Sequence, residues 1–310
     1  MKTLRVGTRG SSLALTQTMW VVEKIKARHP GVEIEVVAIK TTGDRLQEVA
    51  LSKVGGKGVF VKEIEEKLLA GEVDFAVHSL KDVPADIPEG LEIGVTPKRE
   101  DPRDVLVSRG GVMLDELPAG ARVGTGSLRR SIQLRHHFPR IRVVPIRGNL
   151  ETRIRKIEME GLDGVVVAAA GINRMGWGSK VTQFIPPELM IPAVGQGALA
   201  VEVRGGDNET KSVLSFLDDE DSRLAITAER AFLKVFGGGC QLPIAAHAER
   251  RGADVVLTGL VGNLDGSIIV RDRVSGPAPG CEALGRELAE RIFADGGREI
   301  LEEVYRCPGQ

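Results

Sequence analysis

Cys240 stands where a thiol could be displayed to a ligand. It follows Gly237-Gly238-Gly239 and precedes Gln241-Leu242-Pro243. Consecutive glycines forfeit backbone entropy, which is worthwhile only where φ must be positive or another group comes close to the backbone. Those residues alone leave two readings open: a thiol presented to a bulky ligand, or a small buried hydrophobe at a helix end. Asp82 is the second candidate. It closes His78-Ser79-Leu80-Lys81-Asp82, before Val83-Pro84, at the C-terminal end of an apolar run, where α/β folds place their chemistry. An aspartate capping a turn before proline is the equal alternative.

A third signal is charge. Between Arg122 and Lys156 there are ten Lys or Arg residues against one acid, Glu151, in a chain whose formal net charge is only -1. Arg129 and Arg130 fall in the first turn of a helix, just after Thr125 and Ser127. A cation there opposes the helix dipole by roughly 0.3–1 kcal/mol unless an anion is bound. Turn N–H groups, hydroxyls and guanidinium forks together suit carboxylate or phosphate. Arg9 and Ser11 repeat the arrangement near the N-terminus, and Arg147 and Arg153 flank another turn before a helix. The expected ligand is polyanionic. Familiar nucleotide motifs fail: Arg129 occupies the third-glycine position of a dinucleotide fingerprint, and Gly55-Gly56-Lys57-Gly58 lacks the hydroxyl residue after a Walker lysine. Nucleic acid is disfavoured too, because the basic run holds only Phe138 as a stacking platform.

The elements that must carry these residues read as alternating strands and helices. Leu4 to Thr8 is a strand, followed by a glycine turn and a helix to Arg28; Val32 to Lys40 is a second strand, Phe60 to Ala70 a helix, and Val73 to Ser79 a buried strand. The pattern then recurs. Val6-Gly7-Thr8-Arg9-Gly10-Ser11 returns as Val123-Gly124-Thr125-Gly126-Ser127, the stretch from His29 to Ile39 as His137 to Ile146, and Gly71-Glu72-Val73-Asp74 as Gly161-Leu162-Asp163-Gly164. Three blocks in one order predict two similar α/β domains with mainly parallel mixed sheets and a ligand cleft between them. Ala193 to Arg204 reads as a glycine turn and a strand that crosses back to the first domain. Acids around Asp218 to Asp221 introduce a helix from about Ser222 to Phe236, for which capping is the favoured reading. Asp254 to Val261 and Ser267 to Val274 form a hairpin in a small α+β third domain. The expected boundaries are 1–97 with 195–215, then 98–194, then 216–310.

With 310 residues and 42% hydrophobic content, the chain can bury a large core. Three cysteines without a C-x-x-C pair argue against a disulfide framework or a cysteine zinc site and for a reducing compartment. Cys281 and Cys307 need no role. No signal segment or membrane span is read, so the expected location is the cytoplasm.

Several stretches together resemble the porphobilinogen deaminase family, also called hydroxymethylbilane synthase. They are Thr8 to Ser11, Thr42-Gly43-Asp44, Lys53 to Phe60, His78 to Pro84, Gly124 to Arg130, Ile146-Arg147-Gly148-Asn149, Val194 to Ala198 and Gly238-Gly239-Cys240, spread over about 230 residues. Gly126 stands where the family pattern has serine, one hydroxyl fewer at the anion site. The resemblance implies two domains like those of type II periplasmic binding proteins plus a small C-terminal domain. It implies a dipyrromethane cofactor joined to Cys240 by a thioether, and stepwise addition of four porphobilinogen molecules with loss of ammonia to give a linear tetrapyrrole. Asp82 is implied as the catalytic acid. Arg9, Ser11, Ser79, Lys81, Thr125, Ser127, Arg129, Arg130, Arg147, Arg153, Arg174 and Gln196 are implied as holders of cofactor and substrate carboxylates. Lys53, Lys57 and Phe60 are implied to belong to a mobile active-site loop. No metal is implied, and the resemblance suggests a monomer that passes its product to uroporphyrinogen-III synthase. A solute-binding protein of the same two-domain plan would need neither Cys240 nor Asp82.

Overall fold

The computed structural model describes residues 3–45, 58–238 and 242–306. The chain first forms β1 (Leu4–Arg9), α1 (Ser12–Arg28), β2 (Ile34–Ile39), α2 (Thr42–Arg45), α3 (Lys62–Leu69), β3 (Phe75–Ser79) and β4 (Leu91–Val95). It continues through β5 (Asp104–Ser108), β6 (Arg122–Thr125), α4 (Leu128–His137), β7 (Arg142–Pro145), α5 (Leu150–Met159), β8 (Gly164–Ala168), α6 (Ala169–Arg174) and β9 (Gln183–Ile185). The remainder is β10 (Leu199–Arg204), α7 (Asn208–Leu214), α8 (Glu220–Val235), β11 (Ile244–Arg251), β12 (Asp254–Gly262), β13 (Ile269–Pro277), α9 (Cys281–Ile292) and α10 (Arg298–Arg306).

Two five-stranded sheets share one plan. The first has the order β2-β1-β3-β10-β4 and the second β7-β6-β8-β5-β9. In each, three adjacent strands run parallel and the fourth is antiparallel to its neighbours. The parallel trios are the strands of the three repeated sequence blocks, so the internal repeat is a repeat of sheet topology. The antiparallel strands are the two that follow the crossings between lobes: β5 begins after the chain leaves the first sheet, and β10 is its return. Alternation explains the parallel strands, since a helix must carry the chain back before the next parallel strand can begin. Both faces of each sheet are covered, and β3 and β8 are accordingly buried over their first four residues, Phe-Ala-Val-His and Gly-Val-Val-Val.

The third unit is an antiparallel sheet, β11-β12-β13, packed against α8 and α9. Its hairpin register, Asp254 opposite Pro277 to Gly262 opposite Ile269, agrees with the expected turn; β11 is an additional strand that the sequence reading did not anticipate. Phe232 of α8 is fully buried on this sheet, and a Cβ at Gly259 would lie 2.9 Å from its ring. The glycine therefore makes room for the aromatic, whose truncation to alanine would cost roughly 3–5 kcal/mol. Cys281 is packed in the same core, where burial pushes its thiol pKa up, consistent with a structural thiol.

Several ties attach this unit to the others. Asp219 caps α8 by accepting from Ser222 N at 2.9 Å, as expected, while Asp218 accepts from Thr96 N at 2.9 Å and so fastens the start of the helix to the first lobe. Arg230 donates to the carbonyls of Val83, Pro84 and Ala85. The β12–β13 turn docks on α4 through His136 Nδ1 and Gly266 O at 3.0 Å, with Arg135 donating to Leu264 O.

Candidate active site

The sequence-predicted residues converge at the C-terminal ends of the parallel strands of both sheets. β1 ends in Arg9, β3 runs into Ser79-Leu80-Lys81-Asp82, β6 ends at Thr125, and β7 leads into Ile146-Arg147. Strand C-termini end together because the strands are parallel and in register, so side chains just beyond them from separate parts of the sequence meet.

Arg9 is held by three neighbours. Its Nε donates to Asp44 Oδ1 at 3.2 Å, its guanidinium stacks 4.4 Å over the Phe60 ring, and its Nη1 lies 3.8 Å from Asp82 Oδ2. Burial opposes ionisation of Asp44, but Arg9 and Thr41 outweigh it and hold the carboxyl below its usual range. Asp44 is thus the fixed counter-ion of Arg9, which leaves Asp82, about one-third exposed, facing the cleft. Phe60 joins this group; Lys53, Lys57 and Cys240 lie outside the described residues.

Around Asp82 the cations crowd. Lys81 has its pKa pulled down to about 8 by burial and by Arg130 and Arg153, with Asp82 and Asp104 working the other way. Arg153 is lowered to about 10 by burial and by Arg130 and Arg147, with Asp82 opposing. Burial lowers Arg147 as well. Arg153 is anchored by donating from Nε to Gly148 O at 2.8 Å, beside Asn149, which caps α5. Arg174, lowered to about 10 by burial, donates to Gly197 O at 2.7 Å. Clustered, desolvated like charges are unfavourable on their own and become favourable once a polyanion enters.

Several expected holders have internal partners. Ser11 and Ser127 are N-caps that accept from Ala14 N at 3.3 Å and Arg130 N at 3.4 Å, and Thr125 Oγ1 accepts from Ser127 N at 3.3 Å. Ser79 pairs with the buried Gln17 at 2.9 Å. Arg129, expected to hold ligand carboxylates, is instead buried and donates to Asp104 at 2.7 Å and to Ile191 O at 2.7 Å. Its neighbour Arg130 donates from Nε to the same carboxylate at 2.8 Å. Gln196 completes the knot, donating to Pro102 O at 2.6 Å and Asp104 Oδ1 at 2.9 Å. Gly126 also has a packing reason: a Cβ there would stand 2.4 Å from Ile146 O.

The sequence reading gave no role to Asp44, Asp104, Gln17, Arg99, Glu229 or Arg230. Asp44 closes the Thr42-Gly43-Asp44 motif. Asp104 had only one signal, an acid opening a strand of buried type. Gly197 serves the return crossing: its φ is +89° and an added Cβ would meet Glu100 O at 2.3 Å, so no other residue fits without displacing the backbone. The surface groove bordered by Lys26, Pro30 and Glu35 lies at the opposite ends of β1 and β2 and has no share in this chemistry.

Two α/β lobes of common topology, a carboxylate facing a cationic cleft, and a third unit fastened beside it define a cleft enzyme for a polyanionic substrate. The comparisons with known proteins give the family. Residues 4–212 match the model for porphobilinogen deaminase, dipyromethane cofactor binding domain, and residues 223–294 that for porphobilinogen deaminase, C-terminal domain. The chain is 56% identical over 301 residues to a porphobilinogen deaminase of Syntrophus aciditrophicus, covering 97% of this chain and 98% of that one. It is 52% identical over 305 residues to that of Geobacter metallireducens, covering 98% and 96%. Among solved structures, the second substrate binding domain of a putative amino acid ABC transporter from Streptococcus pneumoniae aligns at 13% identity with a TM-score of 0.43, covering 76% of this chain and 95% of that chain. That likeness is slight, and the sheets' own order defines the fold. The chain belongs to the porphobilinogen deaminase family, and it is an enzyme of the transferase class.

Proposed function

We propose that this chain joins four porphobilinogen molecules head to tail, releasing ammonia at each addition, and frees the linear product, hydroxymethylbilane, by hydrolysis. The observation that carries the reading is Asp82 at the end of β3 with Arg9 at 3.8 Å and Lys81 and Arg153 around it, because each substrate pyrrole bears two carboxylates and one aminomethyl group. The donor set fits the cofactor named by the family model: Lys81, Arg147 and Arg153 would hold its carboxylates, with the capped N-terminus of α4 behind them. A dipyrromethane, when bound, supplies the terminal pyrrole carbon to which the first substrate is joined.

Asp82 performs the chain's own part of the chemistry. The substrate's aminomethyl nitrogen arrives protonated, and loss of ammonia leaves a cationic azafulvene, so an ionised carboxylate beside that carbon stabilises charge that grows in the transition state. The same carboxylate takes up the proton lost from the pyrrole carbon after the new bond forms. Asp44 already compensates the Arg9 charge, so Arg9, 3.8 Å from Asp82, orients that carboxylate without quenching its charge. The cations hold the substrate carboxylates and orient the aminomethyl group toward Asp82.

Cys240 is the attachment point in this reading. Supporting it, Gly238, two residues earlier, packs against Ala85, three residues beyond Asp82. The division into 1–97 with 195–215, 98–194 and 216–310, a monomeric state, a cytoplasmic location and transfer of product to uroporphyrinogen-III synthase belong to the same proposal. Among the described residues no helix is long and apolar enough to cross a membrane. The test is the intact mass of the purified chain beside Cys240→Ser, together with porphobilinogen consumption. Excess mass equal to two linked pyrroles, absent from the variant, supports the reading; an unmodified yet active wild-type chain overturns the covalent cofactor.

A further inference from the structure

We infer that Asp104 is a positioning residue of the cleft, whose buried carboxylate fixes the cationic start of α4 against both segments that cross between the lobes and acts as its permanent counter-ion. The inference rests on the family reaction proposed above. Asp104 opens β5, immediately after the outgoing crossing, and is completely buried. Its Oδ2 accepts from Arg129 Nη1 at 2.7 Å, and its Oδ1 accepts from Arg130 Nε at 2.8 Å and Gln196 Nε2 at 2.9 Å. Gln196 belongs to the returning crossing and also donates to Pro102 O, while Gln133 of α4 donates from Nε2 to Ile191 O at 3.2 Å. One carboxylate therefore gathers α4, the outgoing segment and the returning segment.

Charge explains why an acid is required there. Two buried guanidiniums on successive residues would repel each other and oppose the helix dipole. Asp104 removes one of the two charges locally, and the surplus positive charge is the part presented toward Lys81. Burial would raise the Asp104 carboxyl, but the pull of Arg129 and Arg130 with hydrogen bonds from Arg129 and Gln196 outweighs it, so the group stays ionised. The groups acting on Lys81 are Arg130 and Arg153, which disfavour its charge, and Asp82 and Asp104, which favour it. Asp104 thus acts on the cleft through Arg130 and Lys81 without reaching the substrate.

The test uses the full-length holoenzyme as wild type, Asp104→Asn and Asp104→Glu. In Asp104→Asn, Lys81 loses an attractive charge, so its acylation by acetic anhydride, mapped by peptide mass across pH, is expected to have its midpoint moved down by about half a unit or more. The alkaline arm of porphobilinogen turnover should move with it. Asp104→Glu keeps the charge but shifts the carboxylate by one methylene, so its Lys81 midpoint stays while KM for porphobilinogen rises roughly tenfold with a smaller change in kcat. An unmoved Lys81 midpoint in folded Asp104→Asn overturns the counter-ion role. A wild-type KM in Asp104→Glu overturns the positioning role, and it is decisive if Asp104→Asn does not fold. Failure of the wild-type chain to consume porphobilinogen defeats the family reaction instead, and the acylation midpoint still decides the counter-ion role.

Discussion

Arg99 and Glu229 face each other as a two-point ion pair, with Nη1 2.6 Å from Oε1 and Nη2 3.2 Å from Oε2. Glu229 is fully buried in α8 and also accepts from Gly195 N at 2.7 Å and Ala248 N at 2.8 Å, while Arg99 Nε donates to Gln196 O at 2.8 Å. The pair consequently bolts the third unit to both crossing segments. Removing one partner strands a buried charge, which costs about 3–5 kcal/mol. Arg99→Ala and Glu229→Ala are each expected to lower the thermal midpoint sharply, with the double variant less than additive. Additive losses in a thermal-unfolding cycle would mean that the two side chains do not act together.

Asp82→Asn should fold normally, because Arg9 keeps its closer partner Asp44 when the charge 3.8 Å away is removed. Turnover should fall by roughly a hundredfold or more, since an amide can neither stabilise the growing cation nor take its proton. Steady-state rates and intact mass measured on one sample check both halves. A rate near wild type excludes the assigned role.

Glu65 of α3 is buried beside Glu202 of β10 and His78 of β3, the strand that precedes Asp82. Burial, then Glu202, raise its pKa from 4.5 to about 7, with His78 opposing and Glu66 adding to the rise. The folded state therefore binds the proton more tightly than the unfolded chain. Its contribution is fully present below about pH 4.5 and is lost as pH rises through about 7, a change of about 3 kcal/mol. Glu65→Gln, which mimics the protonated form, should flatten that part of the stability profile and be the more stable chain at pH 8. Parallel denaturation profiles for the two proteins from pH 4.5 to 8 would contradict this.

Gly238 has φ of +73°, and a Cβ there would stand 2.9 Å from Ala85 Cβ. Alanine would carry about 1–2 kcal/mol of backbone strain and press on the segment that Arg230 holds behind Asp82. Gly238→Ala is expected to lose stability by that amount and to turn over more slowly than its folded fraction explains. Calorimetry and rates normalised to folded protein distinguish the outcomes; unchanged values in both would show that the contact is slack.

The repeated blocks, the crossing strand up to Arg204 and the strand ending at Ser79, with Asp82 in the turn beyond it, were all legible in the residues, because apolar periodicity and glycine turns act over a few positions. The positive φ expected of the three glycines before Cys240 is met at Gly237 and Gly238, while Gly239 and Cys240 lie outside the described residues. What the basic run could not disclose was which arginines are already paired. Arg129 and Arg130 read alike with Arg147 and Arg153 along the chain, yet their counter-ion Asp104 is supplied from 25 positions away. β11 was missed because Ile-Ala-Ala-His-Ala-Glu-Arg-Arg is a weak strand former, made a strand by its partner β12.

The amino-acid sequence by itself thus determined the two-lobed plan, the placing of cations at strand ends and the family. Tertiary structure alone decided the division of labour among those cations. Whether a guanidinium meets a ligand or an internal carboxylate depends on long-range pairing, such as Asp44 with Arg9, Asp104 with Arg129, and Glu229 with Arg99. Such pairs form only when the sheets bring distant segments together in a low-dielectric interior, where an unpaired charge is too costly to leave.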